Sequence, residues 1–286
     1  MMLVIGSEGQ LGRRLVGKGA SGVDFPDVDV TSILSVRRCL AVFKPEVVVN
    51  CAAMTDVDGC ELDPAKANAV NFYGAANVAD ACRDAGARII HISTDYVFGG
   101  IAVMPGLEHT IRYDEWQPMR TCNAYGQSKM LGEEAVRRHC PAHAVVRTAW
   151  LYSRDGMAGG RPTFVNGMAS LLREEGEPVR VVDDQWGDPT DVGTVADAVC
   201  DIAAKGLPGT FHVTCSGGPA SRLELATEIG RLVGGRRGVE RCSTKDFPVR
   251  PGRRPSATGL AHKAADMYGI SLPDWREALR TELSGV

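Results

Sequence analysis

Short apolar runs alternate with helical periodicities along the first half of the chain. Between these runs, apolar residues recur every three to four positions, as on one face of a helix. Strands are predicted over 2–6, 23–25, 46–53, 87–93 and 144–151, and helices from Gln10, after a Thr31 N-cap and along 70–82. Strands that alternate with helices are typical of a parallel sheet covered on both faces. The pattern predicts an α/β fold with a Rossmann-type, doubly wound parallel sheet.

The second half of the chain is more mixed. Residues 99–124 carry glycines and prolines without periodicity, which predicts a lid or substrate loop because the stretch is too long for a plain turn. Helical patterns follow at 164–172, 195–202 and 225–232, with strands around 179–182 and 210–214. We predict a Rossmann domain over 1–150, and a segment over 151–286 that completes the sheet and forms a smaller C-terminal substrate-binding lobe.

Composition excludes several classes of protein. The 286 residues are 44% hydrophobic and 23% charged with a formal net charge of -3, so neither a nucleic-acid binder nor a polyanionic tail is expected. No apolar run approaches the roughly 18 residues of a membrane span, and no signal peptide is evident. The nine cysteines are scattered and never form Cys-x-x-Cys. A reduced, cytoplasmic protein without a structural metal is therefore expected.

The first chemical signal is a glycine turn at the N-terminus. Gly6, Gly9 and Gly12 lie between the first predicted strand and the first predicted helix. Glycines at such a turn let the backbone approach a pyrophosphate, which binds the amides at the start of the helix. The turn predicts a dinucleotide-binding site.

The second signal is the pair Tyr125 and Lys129, which stand one helical turn apart. A free tyrosine, with a pKa of about 10, exchanges its proton poorly near neutrality. A lysine ammonium one turn away would lower the pKa of the phenol and make it a better acid catalyst. The spacing alone is weak evidence, because such pairs occur by chance on surface helices.

A set of longer segments supplies the context, and with them the chain resembles the dTDP-4-dehydrorhamnose reductase family of extended short-chain dehydrogenases. The segments are Gly9-Gln-Leu-Gly12, Val49-Asn-Cys-Ala-Ala53, Ser93-Thr-Asp-Tyr-Val-Phe98, Tyr125-Gly-Gln-Ser-Lys129 with Gly132-Glu133, Arg147-Thr-Ala-Trp150, Val181-Val-Asp-Asp-Gln185 with Gly187 and Pro189-Thr190, and Arg253-Arg-Pro255. The resemblance implies reduction of the 4-keto group of a nucleotide-linked deoxysugar by NADPH or NADH. The implied partner is a nucleotide-sugar, with neither nucleic acid nor a membrane, and a homodimer is left open.

The resemblance also implies roles for individual residues. Tyr125 would protonate the carbonyl oxygen, Lys129 would assist it and bind the nicotinamide ribose, and Thr94 would hydrogen-bond the same carbonyl. The expected cofactor contacts are Gly6, Gly9, Gln10, Leu11, Gly12, Asp24, Asp29, Val30, Ala52, Ala53, Met54, Thr55 and Ser93, together with Tyr125 and Lys129. The expected substrate contacts are Val57, Asp58, Thr94, Asp95, Tyr96, Trp150, Arg253 and Arg254. Trp150 also fits a core position, and Asp58 a turn.

Two features leave the ligands open. Asp24 at the end of the second predicted strand suits the ribose hydroxyls of NADH and opposes a 2′-phosphate, unless Arg13 and Arg14 compensate, so relaxed cofactor preference is expected. The basic run over 236–254 suits either a solvated surface loop or contact of Arg253 or Arg254 with the substrate diphosphate.

Four functions compete at this point. Besides reduction of a keto-sugar, a dehydratase or epimerase of the same superfamily is considered. Dehydratases of this type carry two consecutive acids after the threonine, whereas Asp95 is followed by Tyr96, which argues against dehydration. The remaining alternatives are a non-catalytic NADP-binding regulatory subunit and an extended short-chain reductase that acts on a different keto substrate.

Overall fold

A computed structural model describes residues 1–100, 112–156 and 161–284. Its main feature is a six-stranded parallel sheet, and the predicted α/β doubly wound class is confirmed. In order across the sheet the strands are β2 (Ser21–Val23), β1 (Met2–Ile5), β3 (Val47–Asn50), β4 (Arg88–Thr94), β5 (His143–Thr148) and β10 (Gly209–His212). Strand order reverses between β1 and β3, which is where ligands bind in open α/β sheets.

Helices cover both faces of this sheet. They are α1 (Gln10–Gly17), α2 (Ile33–Phe43), α3 (Val57–Leu62), α4 (Pro64–Asn68), α5 (Gly74–Ala85), α6 (Ala124–His139) and α8 (Val192–Ala204), with a π-helical turn over Ala69–Tyr73. One core cluster joins α1 and α8 to the sheet, and a second joins α2, α5 and α6 to its other face. The apolar strands are buried between these layers, as their composition requires.

Two local predictions were wrong. Ser32 rather than Thr31 caps α2, since its side chain accepts a hydrogen bond from the amide of Ser35, whereas Thr31 donates its own amide and hydroxyl to Asp29. The apolar pattern over 70–82 belongs to two elements rather than one helix, because the π-helical turn gives way to α5 at Gly74.

The C-terminal part of the chain contributes to two cores. Its helix α8 and strand β10 pack on the main sheet. A separate core lies among α7 (Phe164–Arg173), α9 (Arg222–Val233) and α11 (Trp275–Leu283). Three short ladders accompany it: β6 (Leu151–Tyr152) with β9 (Thr190–Asp191), β7 (Val179–Val182) with β12 (Val239–Cys242), and β8 (Trp186–Gly187) with β11 (Ala220–Ser221). A short helix, α10 (Lys263–Met267), precedes α11. The domain boundary at 150 stays a prediction.

Part of the predicted lid, residues 101–111, lies outside the described part of the chain. Within the part that is described, no helix is both long enough and apolar enough to cross a membrane. The same residues hold no group of three or more histidine, cysteine or acidic side chains placed to bind a metal ion. All nine cysteines are free thiols.

Candidate active site

The glycine turn joins β1 to α1. At two positions of this turn the space is too small for any residue but glycine. Gly6 has a φ of +88°, and a Cβ there would lie 2.6 Å from the amide nitrogen of Ala52. A Cβ on Gly12 would lie 2.2 Å from the carbonyl oxygen of Gly6. Gly9 differs, because its φ of -68° suits any residue and the nearest atom to a Cβ would be 3.4 Å away. The fold therefore does not require a glycine at position 9.

Asp24, at the end of β2, faces this turn. Its carboxylate accepts hydrogen bonds of 2.7 Å from the amides of Glu8 and Phe25. The two arginines of α1 are engaged elsewhere. Arg13 donates to the carbonyls of Glu8 and Gly156 at 2.7 and 2.9 Å, and Arg14 forms a 2.8 Å ion pair with Glu282. The predicted compensation of Asp24 by these arginines is not seen.

Thr94 and Tyr125 meet at the end of β4 and the start of α6. The Thr94 hydroxyl acts to lower the pKa of the Tyr125 phenol, but the larger effect of burial raises that pKa above its ordinary value. The Thr94 hydroxyl also lies 3.0 Å from a carboxylate oxygen of Asp95. Burial raises the pKa of Asp95 to about 6. A protonated phenol therefore faces the cleft at neutral pH.

Lys129 lies one turn further along α6 and is buried. Its Nζ donates to the carbonyl oxygen of Ile92 at 2.6 Å, and burial lowers its pKa to about 8. The expected lowering of the tyrosine pKa by this lysine was wrong for the protein alone, because desolvation of Tyr125 dominates and the net shift of its pKa is upward. A lysine with this pKa is still predominantly charged near neutrality.

A buried ion pair supports α6 beneath these residues. Glu133, one turn beyond Lys129, accepts from Arg147 at 2.9 and 2.8 Å and from Ser93 at 2.5 Å. Hydrogen bonds and charge from Arg147 outweigh desolvation and lower the pKa of Glu133 to about 2. Both partners are almost inaccessible, with exposed fractions of 2% for Arg147 and 0% for Glu133. The pair ties α6 to β5 and fixes the height of Tyr125 over the sheet.

Asn71 in the π-helical turn connects the loop after β3 to the same helix. Its side chain bonds the amide and carbonyl of Met54 at 2.8 and 3.0 Å and the hydroxyl of Ser128 at 2.9 Å. Ser128 in turn donates to the carbonyl of Tyr125 at 2.8 Å. No sequence signal marked Asn71, since a buried asparagine has no periodicity of its own. Such π-helical turns are frequent at functional sites.

A cleft of about 520 Å³ runs across the carboxyl ends of β1, β3, β4 and β5. Most of the predicted site residues line it, namely Gly6, Gly9, Gln10, Leu11, Gly12, Asp24, Ala52, Ala53, Thr55, Ser93, Thr94, Asp95, Tyr125, Lys129 and Trp150. Arg161 also lines it and was not predicted. The predicted residues that lie outside its lining are Asp29, Val30, Met54, Val57, Asp58, Tyr96, Arg253 and Arg254.

Some of these outlying residues have other contacts. The ring of Tyr96 meets that of Tyr125 edge-on with centroids 5.7 Å apart, so it borders the site. Val30 packs in the core beneath α2 and α5. Arg254 donates to both carboxylate oxygens of Asp58, at 3.0 and 2.9 Å, and this bond lowers the pKa of the acid. Asp58 and Arg254 therefore neutralise each other.

One residue at the rim of the cleft was missed by the sequence reasoning. The guanidinium carbon of Arg222 lies 3.4 Å from the ring centroid of Trp150 and 4.8 Å from that of Phe164. Trp150 itself has a φ of +39° at the end of β5, a backbone conformation that is uncommon outside glycine. Arg222 follows the helix cap Ser221, and nothing in its sequence context predicted the stacking.

The parallel sheet, the glycine turn and the threonine–tyrosine–lysine arrangement define an extended short-chain dehydrogenase-type protein. The family model described as the RmlD substrate binding domain matches residues 1–285. The chain belongs to that family, and the predicted resemblance to dTDP-4-dehydrorhamnose reductases is confirmed.

Individual relatives are similar to this chain over nearly its full length. The chain is 39% identical to the dTDP-4-dehydrorhamnose reductase of Streptomyces griseus, with 97% of this chain and 91% of that protein covered. It is 38% identical to the dTDP-4-keto-6-deoxy-D-glucose reductase of Streptomyces niveus, with 97% and 94% covered. The crystal structure of dTDP-4-dehydrorhamnose reductase from Bacillus anthracis str. Ames in complex with NADP superposes with a TM-score of 0.89 at 31% identity, over 100% of this chain and 99% of that one.

Proposed function

We propose that this protein is an NAD(P)H-dependent reductase of the 4-keto group of a dTDP-linked deoxysugar. The names of the two Streptomyces relatives given above describe reductases of this kind. The observation that carries the proposal is that Thr94 and Tyr125 line the same cleft, with the buried Lys129 one helical turn from Tyr125. This arrangement can hold a carbonyl oxygen and deliver a proton to it.

The residues of the glycine turn fit a dinucleotide. The open space beside Gly9 and the first amides of α1, which no side chain caps, can receive a pyrophosphate. Gln10 and Leu11 would contribute those amides, and Thr55 and Ser93 border the same cleft. When bound, the nicotinamide supplies a hydride to the carbonyl carbon.

The proton comes from Tyr125. As the carbonyl oxygen gains negative charge, its basicity rises, so a phenol with a raised pKa remains an effective donor. Thr94 holds the same oxygen by hydrogen bonding and keeps it within reach of the phenol. Lys129 contributes positive charge at the base of the site, where low polarity strengthens the effect of that charge on the developing phenolate.

The substrate would extend from Tyr125 toward the C-terminal lobe. Asp95, Tyr96 and Trp150 lie in or beside the cleft on that side and are the residues proposed to meet the sugar. Arg254 is a weaker candidate for binding the diphosphate than the sequence suggested, because its guanidinium already donates to both carboxylate oxygens of Asp58.

We propose that the protein prefers NADH to NADPH. Asp24 faces the turn with both carboxylate oxygens held by amides, while Arg13 and Arg14 are bound elsewhere. A 2′-phosphate near this carboxylate would be repelled. The complex with NADP belongs to a relative of 31% identity. We also propose that the Rossmann domain ends at residue 150, that the protein forms a homodimer and that it is cytoplasmic.

Turnover by the purified protein tests this function. NADH and NADPH are each offered with a dTDP-linked 4-keto-6-deoxysugar, its UDP-linked counterpart and an unlinked keto-sugar, and nicotinamide absorbance is followed. Oxidation of the cofactor only with the nucleotide-linked ketones is expected. Tight cofactor binding without turnover of any ketone would instead favour the regulatory-subunit alternative.

A further inference from the structure

Arg222 holds a charge for which the described residues provide no counterion. It begins α9, and its amide donates to the carbonyl of Gln185 at 3.1 Å. Its guanidinium makes no ion pair or hydrogen bond with any described side chain. Glu224, the nearest acid along the helix, is used in the helix cap, where its carboxylate accepts from the amide of Ser221 at 3.0 Å.

The other acid in the neighbourhood is also engaged. Asp95 acts on Arg222 through its charge but makes no hydrogen bond or ion pair with it, and its carboxylate is hydrogen-bonded to Thr94 and to Thr258, at 3.0 and 2.5 Å. Arg222 is half-buried, and its partial withdrawal from water lowers its pKa to about 10. Charges withdrawn from water are normally paired, and a guanidinium has five donors to satisfy.

Stacking keeps this cation in place without using those donors. The aromatic faces of Trp150 and Phe164 attract the guanidinium and fix its plane. Its N–H groups, which lie in that plane, are left available at the edge. By contrast, Arg254 and Arg147 place the same groups on Asp58 and Glu133.

The site is continuous with the active-site cleft. Arg222 lines a cavity of about 190 Å³ together with Phe164. This cavity shares Gln10, Trp150 and Leu151 with the cleft that holds Tyr125. A ligand whose ketone lies at Tyr125 can therefore reach past Trp150 to the cation.

We propose that Arg222 binds the diphosphate of the nucleotide-sugar and so sets the position of the sugar in the cleft. This assignment rests on the proposed function, because the diphosphate is the anion that every such substrate carries. A planar guanidinium binds phosphoryl oxygens through two parallel hydrogen bonds, and a desolvated site strengthens them. Arg222 thus takes the role that the sequence suggested for Arg253 or Arg254.

Calorimetric titration with dTDP, in the purified full-length protein saturated with NADH, tests the proposal. Arg222→Met keeps an apolar chain over Trp150 and should weaken dTDP binding at least tenfold, while the Kd of NADH stays the same. Arg222→Lys should recover only part of the affinity, since a lysine lacks the fork. Arg250→Met is the matched control, because Arg250 is 68% exposed in the same lobe and should bind dTDP as the wild type does.

Salt dependence separates a charge contact from mere support of Trp150. The wild-type dTDP affinity should fall with NaCl concentration, and the slope should flatten in Arg222→Met. A dTDP Kd within twofold of wild type, or a weakened Kd with an unchanged salt slope, would overturn the proposal. If dTDP binding depends on Arg222 while no keto-sugar is reduced, the proposed function fails and the anion site stands. If Arg222→Met reduces the keto-sugar with a normal KM, the proposed function stands and the assignment of the diphosphate to Arg222 fails.

Discussion

Gly9 offers a substitution that separates cofactor binding from folding. Its backbone, with φ of -68° and ψ of 166°, is open to alanine, and the added Cβ would meet only the Gly6 carbonyl at an ordinary 3.4 Å. Alanine restricts the conformations of the unfolded chain and so favours folding, whereas position 9 is the N-cap of α1, where glycine is preferred to alanine. Gly9→Ala should therefore keep the free energy of unfolding within about 1 kcal/mol of the wild-type value. The same methyl group would occupy the space into which a pyrophosphate must approach.

The expected loss of affinity follows from the contacts that this methyl group blocks. A hydrogen bond from a backbone amide to a charged phosphate contributes about 1.5–3 kcal/mol. Loss of one such bond corresponds to a Kd for NADH that is about 10- to 100-fold higher. Gly12→Ala is the matched comparison, because its Cβ would lie 2.2 Å from the Gly6 oxygen and 2.7 Å from the Cα of Ser7. That variant should lose about 1–3 kcal/mol or more of folding stability.

Both quantities are measured on the same preparations, the Kd by fluorescence titration with NADH and the stability by urea unfolding. The account requires Gly9→Ala to be stable and weakly binding, and Gly12→Ala to be unstable. If Gly9→Ala bound NADH as tightly as the wild type, the glycine turn would not be the pyrophosphate site.

Three further substitutions test other parts of the account. Tyr125→Phe should bind NADH normally and lower kcat by about 10²–10⁴-fold, the usual contribution of a general acid, and near-normal turnover would exclude that role. Asp24→Asn should improve NADPH binding about tenfold or more relative to NADH, whereas a wild-type preference for NADPH above about 10³ would show that Asp24 does not govern the choice. Glu133→Ala should cost about 3–5 kcal/mol because it leaves the buried Arg147 without its carboxylate partner, and a melting temperature equal to wild type would contradict this. Since folding lowers the pKa of Glu133 to about 2, its contribution should be present above the ordinary glutamate pKa of about 4.3 and be lost as the pH falls toward 2.

The sheet and the pairing of Tyr125 with Lys129 on one helix were predictable because their signals are local. Apolar strands such as β1 and β3 identify themselves by composition, and the spacing of Tyr125 and Lys129 on one helix follows from 3.6 residues per turn. The glycine turn could be predicted for the same reason, because its glycines are close together in the sequence. Family resemblance then brought in residues such as Thr94, which periodicity alone does not mark.

What escaped prediction depends on contacts between distant parts of the chain. Arg254 meets Asp58 across 196 positions of sequence, so its neutralisation could not be inferred from the basic run alone. The direction of the pKa shift of Tyr125 was misjudged because desolvation, which spacing does not report, exceeds the effect of a nearby lysine. Arg222 escaped notice because its partners, Trp150 and Phe164, lie more than 50 positions away.

The central claim, that a hydride reaches C4 of a nucleotide-linked sugar beside Tyr125, is tested most directly by isotope transfer. The protein is given a dTDP-linked 4-keto-6-deoxysugar and NADH that carries two deuterium atoms at C4 of the nicotinamide, and the product is examined by NMR and mass spectrometry. The account predicts one deuterium per molecule, bound to C4 of the sugar, and a product formed 10²–10⁴-fold more slowly by Tyr125→Phe. Oxidation of NADH that leaves the sugar without deuterium, or a sugar labelled at another carbon, would contradict it.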